Sequence, residues 1–438
     1  MRRLAAAVVT LVALLALLAL LALLVGATPG STPPAPPDRR AGSLDRSFGR
    51  QGLAVATVGQ SYADARGIAV DESGRIVTAG QLSRSFGVFR FTAAGRPDPT
   101  FGTGGHVATA IGTFARATAV VVLSDGRILA AGSTNPSAGS THSDIAVAQY
   151  LPTGALDPSF GGDGIVTTPS GGEAFANDAF ATGMAVDRAG RIVVAGATGG
   201  DRPDLLAVRF LPDGTFDTTF ATGGRAIVDQ ARGVDVADAV AIDDFDRIVL
   251  AGTAQPRTGG QVAVVVRLLP TGFLDPTFGS GGTVLLPQRS AFDVAAAVRT
   301  LSDGSVVTAG TTVPEGRRSF VVLTRLGPDG SVRRTTVTDA GSDGQGHGLA
   351  LDGPGRAVLA GQAGGRATVV LHTPDGDIDP AFGVVRTSFG GDRSAAFAVT
   401  FDARGGVLAA GCTCDGSGSS GRGGFEIPSS VVVARYRS

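Results

Sequence analysis

One eight-residue phrase constrains this chain more than any other feature. Residues 189–196 read AGRIVVAG, and close copies are SGRIVTAG (73–80), DGRILAAG (125–132) and FDRIVLAG (245–252). Weaker copies are DGSVVTAG (303–310), PGRAVLAG (354–361) and RGGVLAAG (404–411). The closing glycines fall at 80, 132, 196, 252, 310, 361 and 411, so the steps are 52, 64, 56, 58, 51 and 50 residues. A chain that writes one phrase seven times is built from seven copies of one supersecondary unit.

A second phrase accompanies the first: LDPSFGGDG at 156–164, LDPTFGSGG at 274–282 and PDPTFGTGG at 97–105. Between the two phrases, each unit contains short Val/Ile/Leu-rich runs bounded by Gly, Pro and Asp. In the third unit these runs are 183–186, 191–196, 205–210 and 225–228. Runs of that length and composition predict four strands buried on both faces, where a helix of equal burial needs longer runs. A step near 55 residues is too long for one β-helix coil, and helical repeats lack this punctuation. Blades sandwiched between neighbours, each of roughly 40–50 residues, fit instead. The expectation is an all-β, seven-bladed β-propeller over residues 43–438 with four antiparallel strands per blade. The chain opens on a fourth-strand phrase (44–49, then 53–58) and ends on a third strand (431–436). The N-terminal strand is therefore expected to complete the last blade and remove two open sheet edges.

The pairing of LDxSFGxxG with DGRIVVAG resembles the bacterial delta-60 tandem repeat, a β-propeller-like repeat, over residues 43–438. The resemblance implies a propeller fold and an extracytoplasmic setting, and it transfers no general activity. The sixth LDxSFG position departs from the pattern, since SVRRTTV (331–337) stands there.

The repeated residues have mechanical explanations. Asp-Pro makes a turn, Gly permits positive φ, and the Phe between them is a large apolar wedge. Phe48, Phe101, Phe160, Phe220, Phe278 and Phe382 are expected to plug the seams between blades. The third strand carries one polar residue per unit: Arg90, Gln149, Arg209, Arg267, Arg325, His372 and Arg435. Lining a pore for an anion is one reading of such a set. Pairing is the better one, because an Asp follows eight residues later in Arg90/Asp98, Gln149/Asp157, Arg209/Asp217 and Arg267/Asp275. His372 has Asp379 seven residues on, and ring closure would bring Asp45 to Arg435. Buried charges need partners, so these pairs are read as structural. Arg333 takes the Asp position after Arg325, which leaves Arg325 as the orphan.

Chemistry-bearing motifs are sparse. The four histidines (His106, His142, His347, His372) are scattered, no zinc spacing occurs, and the chain has no Lys and no Trp. G-x-S-x-G, H-E-x-x-H and S-x-x-K are all missing. No catalytic residue, cofactor or metal ligand is predicted. Cys412 and Cys414 are a candidate disulfide, strained by their close spacing. A formal net charge of -1 with scattered arginines excludes a concentrated nucleic-acid face.

The N-terminus is different in kind. Arg2 and Arg3 precede an apolar run over residues 4–25, followed by a small-residue exit at Ala27. Residues 1–27 are expected to be a secretory signal peptide, or alternatively a retained membrane anchor, with a Pro-rich linker over 28–42. The propeller then lies secreted or in the cell envelope.

Comparison of units within the chain separates two surfaces. First-to-second turns and the LDxSFG stretch hardly vary, whereas second-to-third loops (133–143, 197–203, 253–260, 311–318, 412–430) and fourth-to-first connections do. In a four-stranded meander both variable sets emerge on one face, the pattern of a fixed scaffold with a modifiable surface. The expected function is a monomeric, exported, non-catalytic scaffold that binds an extracytoplasmic protein or polysaccharide there. The alternatives are an envelope enzyme on glycans or peptides with an axial acidic site, and a purely structural surface protein.

Overall fold

The computed structural model describes residues 40–438, apart from 60, 138–142, 169–178, 231–232, 256–258, 288–289, 291, 315–317 and 414–428. The expected signal or anchor segment and most of the Pro-rich linker lie outside the described residues, as does Cys414. Among the described residues no helix is long and apolar enough to cross a membrane.

Residues Ala41–Ser438 form one compact unit. It contains 28 strands in seven antiparallel sheets of four, so the fold is a seven-bladed all-β propeller. Blade 3 is representative, with strands Ala179–Val186, Ile192–Thr198, Leu205–Phe210 and Arg225–Val228 in spatial order. The seventh blade joins Ser394–Phe401, Val407–Thr413 and Val431–Tyr436 to the N-terminal strand Leu53–Ala56. There Leu53 pairs with Ala434 and Ala56 with Val431, so the first strand closes the ring.

Each hydrophobic cluster draws on two neighbouring blades. Val193, Leu205 and Phe220 of blade 3, for example, pack with Ala237, Leu250 and Val264 of blade 4. The second and third strands are buried along nearly their whole length, which accounts for their continuous apolar runs.

The second strands do not stop at the closing glycine as the sequence phrase suggests. They continue for two or three residues, to Asn135, Thr198, Gln255 and Thr312 in blades 2 to 5, so the following loops begin later than expected. The closing glycine has a different task. A Cβ at Gly196 would stand 1.7 Å from the Phe180 carbonyl oxygen, and one at Gly252 would stand 1.9 Å from that of Val236. The inner strand can press against the second strand only because no side chain is there. Opposite this contact the register slips by one residue in blades 2 to 7. The extra residue is a β-bulge that re-aims one inner-strand side chain.

Candidate functional site

The repeated arginines are pins between blades. Arg209 Nε lies 2.7 Å from Asp217, its Nη1 donates to the Pro270 carbonyl of the next blade at 2.6 Å, and its guanidinium lies 4.4 Å from the Phe220 ring centre. Arg90 repeats this with Asp98 (2.8 Å), Pro152 (2.5 Å) and Phe101 (4.6 Å). Arg267 does so with Asp275 (2.8 Å), Pro328 (2.5 Å) and Phe278 (4.4 Å). The wedges Phe48, Phe101, Phe160, Phe220, Phe278 and Phe382 are all buried. Burial raises the Asp217 carboxyl, but hydrogen bonds from Thr219 and Arg209 outweigh it and hold the carboxyl below the ordinary range.

The irregular copies find other solutions. Arg435 Nη2 lies 2.7 Å from Asp402, closer than its Nε lies to Asp45 at 3.7 Å, and Arg437 takes Asp45 at 3.2 Å. In blade 2, Arg127 reaches Asp157 at 3.6 Å where Gln149 replaces the arginine. Arg325 donates through Nη2 to the Gly355 and Thr373 carbonyls at 3.0 and 3.1 Å, while its buried Nε has no partner among the described residues. His372 is fully buried, and burial first, then Arg325, pushes its imidazole down to about 4. Cys412 is buried and is not a free thiol.

The two faces differ in construction. All seven first-to-second turns contain five residues, from 71–75 in blade 1 to 402–406 in blade 7. Most are braced by an internal ion pair, such as Arg191–Asp187 at 2.5 Å or Arg247–Asp243 at 2.6 Å. On the opposite face the second-to-third loops run from two residues (83–84 and 364–365) through eight (136–143) to seventeen (414–430). Asp204, Asp229 and Asp235 gather on this face with carboxylate oxygens within 4.8 Å of one another. Burial and the two neighbouring carboxylates raise the Asp204 carboxyl.

The axis is a third surface, and the residues that line it are not the third-strand set Arg90, Gln149, Arg209, Arg267, Arg325, His372 and Arg435. The seven inner strands enclose an axial channel with a cavity of about 150 Å³. The bulge residue of each inner strand lines it: Thr118, Thr182, Asp238, Ala296, His347 and Phe397, with Arg66 at the matching place in blade 1. Each of the seven stands fourteen residues before its closing glycine, the signal that would have found them. Arg66 is tied to Asp64 at 2.9 Å and lies 3.9 Å above the Phe397 ring, which is 5.4 Å from the His347 ring. Burial, and then Arg66, push His347 down to about 4, so its imidazole is neutral at physiological pH. Burial pushes the Asp238 carboxyl up to about 7. Asp238 is the one carboxylate among the channel-lining residues, so no acidic pair converges there.

Three stretches, residues 123–160, 190–220 and 246–278, match a family described as "Domain of unknown function (DUF5122) beta-propeller". No curated protein matches the sequence. Solved structures with a similar outline include a catalytically inactive virginiamycin B lyase from Staphylococcus aureus with quinupristin. It is 10% identical, has a TM-score of 0.47, and the alignment covers 87% of this chain and 98% of the lyase. Drosophila Plexin A in complex with Semaphorin 1b is 7% identical with a TM-score of 0.48, covering 88% of this chain and 87% of that one. A gluconolactonase from Xanthomonas campestris is 15% identical with a TM-score of 0.35, covering 71% and 90%. Likeness at this level transfers no activity, ligand or partner. The chain is a β-propeller repeat protein.

Proposed function

We propose that this chain is an exported, non-catalytic propeller of delta-60-type repeats, a monomer that binds an extracytoplasmic protein or polysaccharide at its variable face. The observation that carries the reading is the asymmetry of the two faces. Seven five-residue turns on one face contrast with second-to-third loops of two to seventeen residues on the other. A packing constraint acts on each blade alike, so it accounts for the uniform face, while freedom to vary on a rigid scaffold is the usual setting of a binding surface. Against the alternative of an axial acidic site, Asp238 is the one carboxylate among the channel-lining residues, where glycan hydrolysis usually uses two.

The chain itself supplies the replacement needed for the test. Blades 1 and 6 already join their second and third strands with two residues, 83–84 and 364–365. Grafting such turns in place of 137–142 and 415–428, which keeps the Ser429 hydrogen bonds to Ala63 and the Ser143 carbonyl's bond from Ala179, should preserve the far-ultraviolet circular dichroism and melting temperature. Cell-wall polysaccharides and envelope proteins are then offered to the immobilised wild type and to the graft. Binding should be lost in the graft and kept after Arg188→Ala and Asp244→Ala on the uniform face. The opposite pattern refutes the surface assignment. Turnover of a glycan or peptide that stops with Asp238→Asn refutes the non-catalytic reading.

A further inference from the structure

One junction of the ring lacks the wedge that the others share. Phe48, Phe101, Phe160, Phe220, Phe278 and Phe382 each belong to a buried cluster between two blades. The cluster between blades 5 and 6 holds only alanine, valine and leucine. The cause lies in the sequence, where SVRRTTV (331–337) replaces the LDxSFG phrase and runs straight into the fourth strand of blade 5, Val332–Thr338. That strand has seven residues, whereas the other six fourth strands have three or four.

The missing wedge leaves several groups without their usual neighbours. A Cβ on Gly95, Gly154, Gly214 or Gly272 would meet the ring of Phe48, Phe101, Phe160 or Phe220 at 2.7, 3.1, 3.0 and 2.7 Å. A Cβ on the corresponding Gly376 would instead meet Arg334 Cδ at 3.2 Å. Arg90, Arg209 and Arg267 each stack on a wedge ring and pair with an Asp. Arg325 has neither partner among the described residues. At the regular junctions the amide after the wedge donates to the third-to-fourth turn of the next blade. Gly102 does so to the Thr153 carbonyl and Gly279 to that of Asp329, both at 2.8 Å. The matching carbonyl here, that of Asp375, accepts no hydrogen bond among the described residues. An open cleft of about 610 Å³ stands at this place, rimmed by Leu301, Asp303, Arg325, Arg333, Pro374 and Asp375. Its three arginines, Arg334 included, are matched by Asp303, Asp375 and Asp377, so shape selects the occupant rather than net charge.

We propose that this cleft docks an aromatic-bearing turn of a partner protein, with a Phe or Tyr ring in the empty wedge position beside Arg325 and the following amide on the Asp375 carbonyl. The other junctions of this chain show which chemistry fills such a slot: a buried ring, then a backbone N–H. Leu301, half-buried against the cluster, and Pro374 give the ring apolar contacts, and the Arg325 guanidinium offers it a cationic face. Arg334 now lies across the slot, but its side chain is 44% exposed and the Asp377 that pairs with it is 62% exposed. An exposed pair of this kind contributes little, so a ring displaces the arginine at small cost. The cleft is bounded by the first-to-second turn of blade 5 and the third-to-fourth turn of blade 6, on the uniform face. It is distinct from the variable loops, and neither proposal depends on the other.

The probe is the chain's own phrase as a peptide, acetyl-Leu-Asp-Pro-Thr-Phe-Gly-Ser-Gly-amide, titrated into the folded propeller by calorimetry. It should bind at one site per chain with a Kd below about 1 mM. Replacing its Phe by Ala should weaken binding at least ten-fold, since the ring is the anchor. Replacing the following Gly by N-methylglycine, which deletes the N–H, should weaken it several-fold. Arg334→Phe places a ring in the slot from within the chain. It should cut peptide affinity at least ten-fold without lowering the melting temperature, while Arg334→Ala clears the slot and should leave affinity equal or tighter. If Arg334→Phe fails to fold, Leu301→Trp serves as the second blocking variant, with the same loss expected. No binding at millimolar peptide, equal binding of the Ala peptide, or unchanged affinity in the blocking variant overturns the inference. So does a self-associated propeller that Arg334→Phe returns to monomer, because the occupant is then a second copy. The loop graft should leave peptide binding intact, so the failure of one proposal is separable from that of the other.

Discussion

Replacing Arg267 by methionine tests whether the repeated arginines are pins. Arg267 is 1% exposed, and its guanidinium joins three elements: Asp275 at 2.8 Å, Thr277 Oγ1 at 3.1 Å and the Pro328 carbonyl of the next blade at 2.5 Å. Methionine fills much of the volume and removes every donor. Asp275 then keeps the Thr277 amide and hydroxyl, at 3.0 and 2.7 Å, and a longer contact of 3.9 Å to Arg247 Nη1. Leaving a buried carboxylate without any cation costs about 3–5 kcal/mol; Arg247 at 3.9 Å offsets part of that, so about 2–3 kcal/mol is expected, and the orphaned Pro328 acceptor adds about 1 kcal/mol. Asp275→Asn alone leaves the guanidinium two neutral partners and should cost less. Since the two residues share one contact, the double variant should be less destabilised than the sum by about 1.5–3 kcal/mol. Urea unfolding followed by circular dichroism measures all four corners of the cycle. Burial raises the Asp275 carboxyl, but Thr277 and Arg267 together hold it below the ordinary value. Its stabilisation is therefore present above the unfolded value near 3.9 and is lost as pH falls through the folded one. The gap between wild type and Arg267→Met should accordingly narrow below pH ~4. Additive single effects, or a loss under about 1 kcal/mol for Arg267→Met, would refute the pin.

Two further predictions concern packing and protonation. Gly252→Ala should cost about 2 kcal/mol or more by the same unfolding assay, because its Cβ meets the Val236 carbonyl oxygen at 1.9 Å. Gly353→Ala, where a Cβ meets nothing within 4 Å, should be neutral, and equal effects would remove the steric account of the closing glycine. His372, held down near 4 in the fold against an unfolded value near 6.5, makes the fold lose stability as pH falls between those values. His372→Leu should remove up to ~3 kcal/mol of that acid sensitivity, and an unchanged pH profile would count against a buried neutral imidazole.

The parts of this fold legible in the sequence are those that every blade needs. The seven-fold count, the third-strand span Leu205–Phe210 and the closing strand beside Val431–Tyr436 all follow from repeated local signals. The glycine contact was not legible, because it depends on a carbonyl brought across the hairpin from fourteen or more residues away. Gly196 therefore reads as the end of a strand that in fact continues to Thr198. The channel was illegible for the opposite reason. Searching for what the copies share discards Thr118, Asp238, His347 and Phe397, since their defining property is that they differ. Repetition and variation are thus complementary in this chain: the bulge is repeated and fixes where a side chain enters the axis, while the side chain placed there is free to change. A propeller built in this way can alter the chemistry of its axis blade by blade without disturbing an arginine pin.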